Sequence, residues 1–420
     1  NLSFRVDLNA RENFLETAER RDSILRLASL INYNAKRNTP ASGFLKITAI
    51  NTTDNVLDTN GLNIADTTIT WNDSTNTEWY QQFLSILNSV MPGSTTFGRP
   101  NDRAVINGVN TEQYSLNSLL SDVPIFGFTK AIDGVNMGFE VVSSSFTGKN
   151  YVYEDTPLPG RNFNVVFRND SKGSGSPDTG FFVTFKQGNL SASGFTVDVP
   201  TENEIVGVNV TDINNDDVWL WQLDSTGNYS TEWTQVPSVN GNNIIYNSLS
   251  SSDRNIYAVV SRESDQIDLV FADGNFGNLP KGNFRLFYRQ SNGLSYVIKP
   301  DQMRGIQITV PYLNKSGQSH SLTLTLSLQY TVSNSSAAET NANVKLKAPQ
   351  VYYTQNRMIT AEDYNIAPLN AGTDILKVKS INRISSGISK YYELSDISGR
   401  YSSTNIFGTD GILYKAQDQD

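Results

Sequence analysis

Chemistry at neutral pH usually needs an imidazole or a thiolate, and this sequence holds one histidine, His320, and no cysteine. Ser319 precedes His320, and Gly317 begins a partial G-x-S-x-G. Ser321 occupies the place of the second glycine, and no strand–turn–helix context surrounds the motif. A nucleophile also needs its base beside it in space rather than next to it in sequence. His320 therefore reads as a surface turn histidine. One histidine without cysteine leaves no histidine-based metal site. Asp212, Asn214 and Asp216 match the opening of a calcium loop, but Asp217 stands where glycine is required and Leu223 where the closing glutamate is required. A solvated hairpin turn is the better reading. No phosphate-binding G-x-x-x-x-G-K-[ST] loop occurs. A glycosidase carboxylate pair is defined by its separation in space, which 42 Asp and Glu leave open. Trp219, Trp221, Tyr229 and Trp233 could form a sugar platform, yet burial in a core or interface is the commoner fate of such clusters. The expectation is a protein that is not an enzyme, with no catalytic, cofactor-binding or metal-binding residues.

The elements that would position these residues are mostly strands. A first helix is marked by Ile24, Leu27, Ala28 and Ile31 and ends near Tyr33, with Asn9 and Glu12 in capping-box spacing. A second helix fits 78–90, with Trp79, Phe83, Ile86, Leu87 and Val90 on one face, a Thr75/Glu78 capping box, and a stop at Pro92–Gly93. Strands are predicted at 44–50, 138–147, 163–168, 181–186, 218–223, 256–262, 267–271, 284–288 and 322–332. The last alternates strictly, with Leu322, Leu324, Leu326, Leu328, Tyr330 and Val332 on one face. Residues 169–180 are a flexible loop by composition. Residues 333–348 are small and polar, and they and 38–43 are the expected hinges. Thr360 and Asp363 cap a short helix, followed by strands at 378–384 and 391–394.

The fold class expected is multidomain and mainly β with α+β parts. Residues 1–45 form a helical N-terminal arm, 46–150 a mixed α/β region, and 151–332 a β-sandwich or barrel-like domain. Residues 333–350 form a linker and 351–420 a small C-terminal α+β module, expected to continue beyond the chain end. Hydrophobic residues at 38% and charged residues at 18% give an ordinary core and no charge-driven disorder. The net charge of −9 is uneven. Residues 1–50 and 345–400 each carry eight Lys/Arg against five Asp/Glu, whereas 51–344 carry sixteen against twenty-nine. An acidic middle argues against a nucleic-acid partner. No run of about 18 apolar residues predicts a membrane helix.

Four stretches in order carry a family likeness: 20–43 (RRDSILRLASLINYNAKRNTPASG), 271–300 (FADGNFGNLPKGNFRLFYRQSNGLSYVIKP), 356–365 (NRMITAEDYN) and 381–415 (INRISSGISKYYELSDISGRYSSTNIFGTDGILYK). Together they resemble the baseplate wedge proteins of T-even-type contractile-tailed phages and their wider J-like relatives. The resemblance implies a structural virion protein of the tail baseplate, made in the host cytoplasm, without cofactors. It implies a homodimer within each wedge, and contacts to other wedge subunits, including the wedge-core protein and the lysozyme-like sheath initiator. It also implies a ring of wedges around the tail hub that rearranges to trigger sheath contraction. Neither nucleic acid nor membrane is an implied partner.

Overall fold

A computed structural model describes residues 10–72, 78–91, 102–117, 120–146, 151–239, 254–275, 277–354, 358–371 and 378–380. The chain is mainly β, with a few helices. It divides into two compact units: residues 34–339, and a second unit drawn from both ends, 1–33 with 340–420. In chain order the strands are β1 (Ser42–Thr52), β2 (Ile69–Thr70), β3 (Asp102–Ile106), β4 (Val109–Leu116), β5 (Ile125–Ile132), β6 (Val135–Val142), β7 (Ser144–Ser145), β8 (Tyr153–Glu154), β9 (Phe163–Asn169) and β10 (Gly180–Gln187). They continue as β11 (Asn189–Val197), β12 (Ile205–Val208), β13 (Ile213–Leu223), β14 (Tyr229–Gln235), β15 (Ile256–Ser261), β16 (Ile267–Phe271), β17 (Gly282–Gln290), β18 (Ile306–Leu313) and β19 (Ser319–Leu328). The helices are α1 (Arg21–Leu30), α2 (Glu78–Val90), α3 (Asn341–Thr354) and α4 (Ala361–Ala371).

The unit 34–339 holds a ten-stranded sheet, a seven-stranded sheet and the two-stranded pair β7–β8. The first runs β18-β19-β1-β10-β9-β4-β3; β2 adds to β1, and β6 with β5 adds to the far end of β10. Its core gathers Leu45, Ile47 and Ile50 of β1, the alternating leucines of β19, and Phe83, Ile86, Leu87 and Val90 of α2. Those four α2 residues recur at i, i+3, i+4 and i+7, so one stripe meets the sheet. The helix has the predicted bounds, while Thr75 and Pro92–Gly93 lie outside the described residues. The second sheet runs β11-β17-β13-β14-β15-β16-β12 around Leu220, Trp233, Tyr257, Leu269, Phe284 and Leu286. The chain passes between the sheets at Gly188, whose φ is +116° and where a Cβ would lie 2.4 Å from the Gln290 carbonyl oxygen. Only glycine fits there.

Several expectations are corrected. A boundary near residue 150 does not exist, because β1 pairs with both β10 and β19 in one sheet. Backbone pairing is non-local, and composition along the chain does not reveal it. The 322–332 strand ends at Leu328, since the pairing to β1 ends at Leu45 opposite Leu328 and that to β18 ends at Ile306 opposite Leu326. Tyr330, beyond both partners, is 53% exposed, and Val332 makes an isolated bridge to Ile298. The 333–350 linker is half helix. Residues 333–339 run extended beside 36–42, whereas α3 starts at Asn341, where the Thr340 hydroxyl accepts the Asn343 N–H at 3.3 Å. The 38–43 hinge is buried at Asn38 and Ala41 and tied by a Thr39–Ser336 bridge. The 169–180 loop is anchored rather than loose. Asp170 accepts from Ser176 and Thr179, Trp71 donates to the Ser174 carbonyl, and Lys46 to that of Ser176.

In the second unit α1 buries Ile24, Leu25 and Ala28, and Arg21 donates to Asn341 at 3.1 Å. Asn9, residues 381–384 of the strand expected at 378–384 and all of that expected at 391–394 lie outside the described residues, and 378–380 are not in a strand. At α4 the capping box forms in both directions. Asp363 accepts the Thr360 N–H at 2.8 Å, and the Thr360 hydroxyl accepts the Asp363 N–H at 3.3 Å.

Candidate functional site

His320 does not lie in a turn. It occupies β19 opposite Tyr312, with Nε2 3.3 Å from Asp54 Oδ1 but outside hydrogen-bond geometry. Thr53 Oγ1 is 3.5 Å from Nδ1, so a Thr–His–Asp order exists in space. It falls short of a nucleophile array. Thr53 Oγ1 already accepts the Ser321 N–H at 3.0 Å, and Asp54 is shared with Asn314 at 3.0 Å and Tyr312 at 3.4 Å. The cluster fastens the turn after β1 to β18 and β19.

The Asp212–Asp216 segment is not a solvated hairpin either. Asp212 has a left-handed φ of +60°, and a bulge separates Ile213 from Val218 within β13. Asn214 is fully buried. Its side-chain Oδ1 accepts from Asn38 and Ser291, each at 2.7 Å, and its side-chain Nδ2 donates to Asp217 at 2.9 Å. Arg37 closes the same seam, donating to the carbonyls of Ile213, Asn214 and Asn215 and to the Ser261 hydroxyl. Burial brings its pKa down to about 10, opposed by Asp265, Asp216 and Asp217, so it stays charged at neutral pH. No group of three or more His, Asp or Glu poised for a metal occurs among the described residues.

The aromatic cluster splits across β13. Leu220 and Trp233 are register partners on the core face, while Trp219 and Trp221 lie on the other. Trp221 is buried, donates to the Pro157 carbonyl at 3.0 Å and packs edge-on to Tyr229. Trp219 lies under two cations, Lys186 at 5.8 Å and Arg289 at 5.6 Å from its ring. None of these rings forms an open sugar platform.

The cations over Trp219 belong to the densest charged cluster of the unit, which the sequence did not reveal. Arg289 of β17 is 0% exposed. Its Nε donates to Glu140 of β6 at 2.8 Å, and its two terminal nitrogens grip Glu154 of β8 at 2.9 and 2.7 Å. Asp217 of β13 lies 3.5 Å away. Lys186 of β10 reaches Asp217 at 2.6 Å and Glu154 at 2.9 Å. Glu140 also accepts the Leu190 N–H at 2.6 Å. Burial would raise the Asp217 carboxyl, but Lys186 and Arg289 outweigh it and hold the group at about 2. Burial likewise opposes charge on Arg289 and Lys186, and their carboxylate neighbours reverse that, holding both above their ordinary values. Three carboxylates and two cations, drawn from the ten-stranded sheet, the seven-stranded sheet and the β7–β8 pair, thus meet in a closed space with a formal net charge of −1. Each glutamate is fixed by cations, and the chemistry available is cross-linking rather than proton transfer. The available signal was a pattern. In β17, Leu286, Phe287 and Tyr288 run consecutively, so both faces of the strand are apolar there and Arg289, which follows them, must find partners.

Residues 43–331 match the family model described as "Domain of unknown function (DUF8360)". No curated protein matches the chain. The crystal structure of a protein from Eubacterium rectale, described as secreted, aligns at 10% identity over 70% of this chain and 66% of that one, with a TM-score of 0.08. The chain spans slightly less than two thirds of that protein's length, and so weak a likeness bears on neither fold nor role.

Proposed function

Since the chain belongs to the DUF8360 family, whose description assigns no role, we propose from its own residues that it is a non-catalytic structural subunit. We place it in the baseplate wedge of a contractile phage tail, following the resemblance of its four stretches to those wedge proteins. It pairs there with a second copy and with other wedge subunits, helps close the ring around the tail hub, and rearranges when the sheath contracts. In that reading the chain comprises a helical N-terminal arm, a central sandwich-like β region and a C-terminal α+β module. The observation that supports a load-transmitting role is the closed junction of Arg289, Lys186, Glu140, Glu154 and Asp217. Charge pairs of this kind add little net stability over an apolar core, but they fix one register of two sheets. A scaffold that must pass force without repacking gains from such a fixed register.

The test is purification of the chain from its native source under mild conditions, with identification of the proteins that accompany it. A dimeric chain accompanied by tail wedge proteins is the expected result. Recovery as a lone monomer, or turnover of a glycan substrate abolished by changing one carboxylate, overturns the proposal.

A further inference from the structure

Away from the junction, the three strands at the far edge of the ten-stranded sheet carry an open groove of about 390 Å³. Drug-sized and sugar-sized ligands occupy pockets of about 300–1,000 Å³. Register defines its floor. Arg103, Glu112 and Phe167 are direct partners across β3, β4 and β9, and Val105, Asn110 and Asn169 form the next row on the same face. The result is a grid of two rows by three strands. Arg103 Nε and Glu112 Oε1 lie 3.0 Å apart, and Tyr114 donates to the other Glu112 oxygen at 2.6 Å. The pair cancels its own charge, so the groove is polar yet neutral. Among the described residues the Asn110 side chain makes no hydrogen bond, and Asn169 uses only its carbonyl oxygen, to accept from Ser171. Two amides at neighbouring positions therefore keep donor capacity toward the groove. Phe167, packed against the core on one side, is partly exposed there, and Val105 is 66% exposed, so two apolar residues share the floor with four polar ones.

We propose that this groove is a binding site for an uncharged saccharide. A sugar ring presents hydroxyls that both donate and accept, together with an apolar C–H face. The grid offers the complement: amide donors and acceptors, a carboxylate acceptor fixed by its arginine, and an aromatic edge with a valine as apolar contacts. A charged ligand would meet no net counter-charge, and a purely apolar one would strand the two asparagine amides. The site is separate from the Trp219–Trp233 aromatics and is independent of the assembly role proposed above.

Saturation-transfer NMR on the full chain tests it, with lactose, maltose, cellobiose and N,N′-diacetylchitobiose as sugar probes and tetra-alanine as a strand-like probe. At least one disaccharide should show saturable transfer strongest at its ring C–H protons. Asn110→Ala alters an exposed side chain without partners, so its fold should persist, and loss of one hydrogen bond should weaken binding about fivefold. Phe167→Ala should abolish the transfer, and circular dichroism reports whether that variant stays folded. Absence of transfer from all four sugars overturns the proposal. So does binding that Asn110→Ala and Glu112→Gln both leave unchanged, which would place the sugar elsewhere. Tighter binding of tetra-alanine than of any sugar also overturns it, pointing to strand addition at the β3 edge.

Discussion

Arg289 shows what a single buried charge requires. It is held by Glu140 and Glu154 through three hydrogen bonds, and its position is unusable unless all partners are present. Arg289→Met would leave three carboxylates facing Lys186 alone, and breaking a buried pair from one side costs about 3–5 kcal/mol. Arg289→Lys keeps the charge but loses the two-pronged grip on Glu154, so a smaller loss is expected. Urea unfolding of both variants measures this, and a loss below about 1 kcal/mol in Arg289→Met would mean that the junction does not form. Asp217 adds a pH signature. Its folded pKa of about 2 lies below the ordinary 3.8. The stabilisation is therefore fully present above about pH 4 and is lost as pH falls through 2, amounting to roughly 2–3 kcal/mol. Asp217→Asn should lower stability at pH 7 and flatten the stability profile between about pH 4 and 2. An unchanged acid limb would show that Asp217 is not held by cations.

At the scale of elements, β19 is the clearest test of facing. Leu322, Leu324, Leu326 and Leu328 are buried, while Thr323, Thr325 and Ser327 between them are only half-buried. Leu326→Asp should cost roughly 3–5 kcal/mol by burying an unpaired charge, whereas Thr325→Asp should cost about 1 kcal/mol or less. Similar losses at both sites in thermal unfolding would show that the face is assigned wrongly. The same strand marks how far sequence reasoning reached. Alternation identified its buried face, because period two is a local property. It could not place the strand's end, which depends on where β1 and β18 stop pairing. Helix α2 was legible to its last residue because its stripe and its burial coincide. Helix α3 was hidden by its small and polar composition, although Thr340 at its start was a readable cap. The ionic junction was the least legible feature. Glu140 and Arg289 are 149 positions apart, and nothing local connects them. His320 and Asn214 were misread for a related reason. Their polar sequence surroundings suggested turns, while Asp54 reaches His320, and Asn38 and Ser291 reach Asn214, from loop segments distant in sequence.

At the scale of the whole molecule, the chain enters and leaves the unit 34–339 at one place. The Glu339 N–H donates to the Lys36 carbonyl at 3.0 Å, and the Glu339 carboxylate accepts the Lys36 N–H at 3.1 Å. Thr39 and Ser336 exchange backbone bonds at 2.9 and 3.0 Å. The first and last segments of the unit are therefore clasped by its own atoms. Both hydrophobic cores of the two sheets, the ionic junction and the groove on β3, β4 and β9 are built from residues within these limits. Removing 1–33 and 340–420 thus takes away none of the described strands and leaves neither of these cores half-built, which is the condition for a part to fold alone. A chain of residues 34–339 should unfold cooperatively in urea, with near-ultraviolet circular dichroism that shows fixed aromatic packing. Glu339→Ala in that chain should lower stability by about 1 kcal/mol, by removing the side-chain half of the clasp. In the full chain, calorimetry should resolve a second transition belonging to the unit made from the two ends. If residues 34–339 alone give a non-cooperative, molten state, the clasp does not substitute for the removed ends, and the division into two units fails as a description of folding.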